Sequence, residues 1–196
     1  MSLPPQIRPR RAPAMHEPLY VVQRRGTPSS DDPPNAADFY RFLGTAIVPW
    51  GRLEGHFAAS LIMALQLSQD NKSARKYPLP WTQRSKIWRL LFSENDALGP
   101  RRELALSLID QIDNLAGQRD LIIHALWDSF VPTEPVKMEF ITLQNRQGLI
   151  ESRRDSIDLA GLTEFVVQAN RLHIELSPVH QFLTDALAAL RSKAQI

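Results

Sequence analysis

Residues 38–65 read DFYRFLGTAIVPWGRLEGHFAASLIMAL, and this stretch decides the fold class. Phe39, Leu43, Ile47, Trp50, Leu53, Phe57, Leu61 and Leu65 recur at intervals of three and four residues, the spacing of one buried helix face. Glu54 shares that stripe with Trp50, Phe57 and Leu61, which places a carboxylate on the inner side of the helix. Pro49 lies inside the run and is expected to kink or split it, because proline lacks a donor and crowds the preceding turn.

Working towards the C-terminus, a polar loop with Pro78 and Pro80 leads to a second helix. Thr82 is expected to cap it, and Ile87, Leu90 and Leu91 to be buried by it, through about Ser93. Gly99-Pro100 punctuates the chain, and a third helix starts with proline near its first turn. Leu104, Leu108, Ile112, Leu115, Arg119, Ile122 and Leu126 form its inner stripe, and it either runs unbroken to Trp127 or breaks at Gly117. After Pro132 and Pro135 the period changes. Met138, Phe140, Ile141 and Leu143, then Asn145-Arg146-Gln147-Gly148, then Leu149-Ile150-Glu151 read as a β-hairpin over about 136–153. Ser156 or Asp158 opens the last helix, whose stripe runs from Leu159 through Leu162, Phe165, Leu172, Leu176, Val179, Leu183 and Leu187 to Leu190, with a bend at Pro178. The expectation is an all-α, up-and-down helical bundle of four to five helices over residues 37–196, with the hairpin inserted before the last long helix.

Towards the N-terminus the character is different. Residues 1–36 hold eight of the fifteen prolines, with five arginines, and only Leu19-Tyr20-Val21-Val22 is locally apolar. Such a segment cannot build a core and reads as a disordered tail, with a short docked strand at 19–22 as the alternative. Met15 offers a second possible start.

Composition removes several function classes. There is no cysteine, so a disulfide framework, a thiolate metal site and a cysteine nucleophile are excluded. His16, His56, His124, His173 and His180 show no metal-ligand spacing, so neither a metal nor a cofactor is expected. The five arginines of residues 1–36 against Glu17, Asp31 and Asp32 account for the whole net charge of +2, which leaves the body neutral. A neutral body argues against broad duplex binding and for a small local anion site. No apolar run reads as a signal peptide or approaches the roughly 20 residues of a membrane span, so the expectation is a cytoplasmic chain with no membrane partner.

The candidate site lies in Gln118-Arg119-Asp120-Leu121-Ile122-Ile123-His124-Ala125-Leu126-Trp127. Arg119 falls on the apolar stripe, and a buried cation needs a carboxylate or an anionic ligand to offset its desolvation. His124 follows five residues later, about 140° around a helix. Asp120 and Asp128 stand four residues either side of His124, where a carboxylate one turn away orients the imidazole and raises its pKa. Arginine to hold a phosphate and histidine to move a proton suit metal-independent RNA cleavage, in which the 2′-OH attacks the adjacent phosphorus. A structural ion pair between Arg119 and Glu54, and an interior His124 satisfied by its neighbouring carboxylates, explain the same residues without chemistry.

Arg119-Asp120-x-x-x-His124 resembles the arginine–histidine motif of HEPN domains, with a polar residue after the arginine and the small, apolar and aromatic run Ala125-Leu126-Trp127 behind it. The stretch from Gly44 to Leu65, with Glu54, is similar to the first long helix of that family and its inward acidic residue. The resemblance covers roughly residues 38–130, with the last helix closing the bundle. It implies a homodimer whose motifs meet across a cleft, Arg119 and His124 as catalytic residues, and Asp120, Glu54 and Asp128 in support. It further implies an RNA substrate, a toxin–antitoxin or phage-defence setting, and an antitoxin-like or nucleotidyltransferase-like partner protein. Other members of the family keep the fold as binding or adaptor proteins.

Overall fold

The computed structural model describes residues 36–68, 79–124, 126–131, 137–146 and 149–193. The proline- and arginine-rich N-terminal segment, and with it both readings of residues 19–22, lies outside them. The chain is mostly helical with a small antiparallel sheet. In order it forms α1 (Ala36–Leu67), α2 (Trp81–Glu94), a 3₁₀ segment (Asp96–Arg101), α3 (Arg102–His124), β1 (Leu126–Val131), β2 (Lys137–Arg146), β3 (Leu149–Asp158), α4 (Leu159–Glu175) and α5 (Ser177–Lys193).

The helix α1 is the centre of the molecule, packed against α4, α5 and α2, while α3 packs on α2 and α4. It buries Phe39, Ala46, Trp50, Leu53, Phe57, Leu61, Ala64 and Leu65. Two expectations need correction here. Of the kink or split expected at Pro49, the split is absent: the helix continues for 32 residues with the proline inside it. Ile47 is 50% exposed, because the inner face passes through Ala46, one residue or about 100° away.

Around α1 the core is aromatic. Phe57 meets Trp81 and Trp88 with ring centroids 5.0 and 4.9 Å apart, and Trp88 meets Phe92 at 4.5 Å. Such pairs add about 0.5–1.5 kcal/mol each beyond the area they bury. Polar groups at the edge of this cluster fix the spacing of α2 and α3. Trp88 Nε1 donates to the Ala105 carbonyl at 2.9 Å, and Arg102 Nε donates to the Phe92 carbonyl at 2.7 Å. Asp113 accepts from Trp81 Nε1 at 2.7 Å and from Ser85 Oγ at 2.6 Å.

Helix boundaries also differ from the sequence reading. α2 starts at Trp81, and Pro80, extended at φ −55° and ψ 151°, stands in the cap position with no side-chain cap bond. The Pro80 carbonyl accepts from Gln83 N and Arg84 N instead, so Thr82 is not the cap. Leu90 is 52% exposed rather than buried. The expected last long helix is two, α4 and α5, separated at Leu176, with Pro178 in the first turn of α5, where its missing donor costs nothing. Asp158 is the N-cap of α4, its Oδ1 accepting from Gly161 N at 2.8 Å.

The expected hairpin is present as β2 and β3, paired antiparallel from Lys137↔Asp158 to Arg146↔Leu149. A third strand was not expected. β1 adds to β2 antiparallel, with Trp127↔Phe140 and Val131↔Lys137 as Cα partners, giving the order β1-β2-β3. Met138 of β2 is buried in the helical core and anchors the sheet to it.

Candidate functional site

Arg119 lies in the penultimate turn of α3, which passes Gly117 without a break. Its side chain is 16% exposed. Nη1 pairs with Asp120 Oδ1 at 2.7 Å, Nη2 stands 4.0 Å from Glu54 Oε2, and the guanidinium sits 5.2 Å from the centroid of the Trp50 ring. Trp50 and Glu54 are one turn apart on α1, so the indole and the carboxylate that receive the arginine come from one helix face. Their own contact fixes them: Trp50 Nε1 donates to Glu54 Oε2 at 2.8 Å. Phe165 of α4 stacks behind Trp50 at 6.4 Å.

Glu54 has a second and tighter cationic partner that the sequence reading missed. Arg84 of α2 donates to Glu54 Oε1 through Nη2, and its side chain is only 12% exposed. Its guanidinium lies 5.2 Å over the Trp81 ring, which in turn meets Trp50 edge-on at 5.6 Å. One carboxylate thus serves two arginines, each resting on a tryptophan. Burial pushes the Glu54 carboxyl up, but hydrogen bonds from Arg84 and Trp50 and the charges of Arg84 and Arg119 outweigh it, and its pKa falls below the ordinary value. No local pattern marks Arg84, because it meets Glu54 across 30 residues of chain.

The remaining site residues divide. Asp120 is 62% exposed and holds Arg119. His124 is the last residue of α3, so the four-residue helical spacing from Asp120 stands, but its side chain lies outside the described residues. Asp128 is on β1, and the expected helical turn between His124 and Asp128 does not exist, since the backbone becomes extended at Leu126. Its side chain, like that of Trp127, is outside the described residues.

A shallow depression lies beside Arg119. Arg119, Trp50 and Phe165 line it together with Ile47 and Ile123, which are 50% and 38% exposed. Val48, 55% exposed, continues this apolar face along α1, where a Cβ at Gly44, Gly51 or Gly55 would meet no atom within 4 Å.

Three histidines from three helices also meet. His56 of α1 contacts His173 of α4 and His180 of α5, with ring centroids 4.9 and 4.5 Å apart. Among the described residues no group of three histidines or carboxylates is placed to hold a metal ion, and no helix is long and apolar enough to cross a membrane. Comparison of the chain with protein-family models, with curated proteins and with solved structures gave no significant match.

Proposed function

We propose that this chain is a HEPN-like, up-and-down helical protein that works as a homodimer and cleaves RNA without a metal, with Arg119 and His124 as its catalytic pair. The observation that carries this reading is the way Arg119 is held. Glu54 and Trp50 hold one side of the guanidinium, while its Nη1 pairs with Asp120, itself 62% exposed. Asp120 stands largely in water, so its carboxylate can leave the pair without being desolvated. A phosphate can displace that carboxylate at little cost and take its place in a bidentate, charge-assisted contact.

In the proposed reaction His124 takes the proton of the 2′-OH as the oxygen attacks the adjacent phosphorus. The P–O5′ bond breaks, the departing 5′-oxygen takes a proton from water, and the products are a 2′,3′-cyclic phosphate and a 5′-hydroxyl. Arg119 offsets the charge that grows on the phosphoryl oxygens. Asp120 orients His124 once the phosphate has released it from Arg119. The apolar face of Ile47, Val48 and Ile123 borders Arg119 and supports a second copy as its cover, which brings two Arg119 residues to one interface. The toxin–antitoxin or phage-defence setting, with an antitoxin-like or nucleotidyltransferase-like partner, belongs to the same proposal, as does a cytoplasmic location.

The test is incubation of purified protein with total RNA in EDTA. Wild type should cut it, and His124→Ala should lose roughly 10²–10⁴ in rate, the usual worth of general acid–base catalysis. Equal, undiminished RNA with both proteins sinks the reading.

One observation favours a second reading. Arg119 already has two carboxylates and an indole around it, enough to satisfy a buried cation with no ligand. In that case the chain is a non-catalytic dimeric binding or adaptor protein, and Arg119→Ala lowers stability while RNA stays intact throughout.

A further inference from the structure

The histidine cluster has no part in the proposed chemistry, yet its placement is specific. His56 is in the middle of α1. His173 is in the last turn of α4 and His180 in the first turn of α5, on either side of the break at Leu176. Three imidazoles from three helices therefore meet where the α4–α5 corner rests on α1.

The hydrogen bonds bear on which nitrogen carries the proton in two of these rings. Ser60 Oγ donates its one hydrogen to the His56 carbonyl at 2.8 Å, so across the 3.0 Å contact with His180 Nδ1 it accepts. His180 thus carries its proton on Nδ1. His56 Nδ1 is buried and has no hydrogen-bond partner among the described residues, which marks it as the unprotonated nitrogen of a neutral ring. A proton added there would become a buried donor with no acceptor. The ionisable groups that act on His56 are His180 of α5 and His173 of α4, and α4 also presents the His173 backbone carbonyl to it. From α2 the charge that reaches α1 is Arg84, which is spent on Glu54. Among the described residues no carboxylate is a cause of the shift at His56.

We propose that His56, packed against His173 and His180, is an acid-sensitive latch that holds the α4–α5 corner on α1 while its ring is neutral and releases it as that ring gains a proton. A proton on His56 sets a charge against two imidazole rings whose centroids lie within 5 Å of its own. Burial, with the charges of His180 and His173, pulls the His56 pKa below its ordinary value of 6.5, in keeping with this geometry. A histidine with a depressed folded pKa gives stability that is complete above the unfolded value and is lost as pH falls towards the folded one. The latch therefore opens below about pH 6.5.

The experiment compares thermal melts of the full chain between pH 7.5 and pH 5.5, above the range where most carboxylates titrate. Each proton held by the unfolded chain and refused by the folded one steepens the fall by about 4 °C per pH unit. Wild type should fall more steeply than His173→Gln/His180→Gln. An NMR titration of the His56 ring should show its pKa rising towards 6.5 in that variant. Parallel slopes and an unmoved His56 titration would overturn the proposal. A packing role alone lowers the melting temperature equally at every pH and leaves the slope unchanged. Should the double variant not fold, His173→Gln alone gives the same two readouts, with a smaller change of slope expected and an unchanged one refuting.

Discussion

Replacing Glu54 by glutamine keeps the shape of the side chain and removes the charge that two arginines share. Arg84 suffers most. It is 12% exposed, its Nε is already buried without a hydrogen-bond partner among the described residues, and Glu54 is the acceptor of its Nη2. Removing one partner of a fully buried pair costs about 3–5 kcal/mol. Here Glu54 is 28% exposed and Arg119 retains Asp120, so the expected loss is about 2–3 kcal/mol. For a domain of this size that lowers the melting temperature by about 6–9 °C. The assay is thermal unfolding followed by circular dichroism at pH 7, with a urea titration to check that the m-value is unchanged. A cycle with Arg84→Met separates the pair from the loss of one charge, and the double variant should recover part of the deficit. The same carboxylate shapes the acid limb. Its folded pKa is lowered, so its contribution is complete above the ordinary value and disappears as pH falls through the folded one. Glu54→Gln should therefore flatten the stability profile below about pH 4.5. A variant that melts within a degree of wild type would refute the claim that Glu54 organises this network.

Asp113→Ala strips the acceptor from Trp81 Nε1, Ser85 Oγ and Arg89, and should cost about 2–3 kcal/mol by equilibrium unfolding; a change under 0.5 kcal/mol would show that α2 and α3 are not pinned there. Asp158→Ala removes the N-cap of α4 and should lower stability by about 1 kcal/mol, with Asp158→Asn restoring most of it. Val48→Asp, on the apolar face of α1, should turn the proposed dimer into a monomer by light scattering with little change in the helical circular-dichroism signal; an unaltered dimer would move the interface elsewhere, and a monomeric wild type would refute the dimer.

The long helices were legible because apolar spacing is a local property. α1 shows its stripe from Phe39 to Leu65, and even there the choice between Ala46 and Ile47 as the inward residue needed the neighbours. The hairpin was legible from Met138 to Ile150 because the period changes and a turn sequence interrupts it. β1 was not. Leu126 continues the spacing of α3, no glycine or proline separates His124 from Val131, and the strand exists through its pairing with Phe140 and Ile141 on β2. Non-local pairing also hid the polar network. Glu54 beside Arg119 was readable as two buried charges in need of each other, but Arg84 resembles any exposed helical arginine until α2 is laid against α1. The meeting of His56, His173 and His180 depends on the corner at Leu176, which no single stretch announces.

The central claim is that the end of α3 cuts RNA through attack by the 2′-OH. Its most direct test is mass analysis of the 3′ ends left on a defined RNA after incubation with the wild-type chain in EDTA, beside the same RNA carrying 2′-deoxy sugars. The account predicts fragments ending in 2′,3′-cyclic phosphate from the first substrate, an intact second substrate, and neither product nor loss with Arg119→Ala. Intact RNA with every protein, or fragments ending in a 3′-hydroxyl, would contradict it.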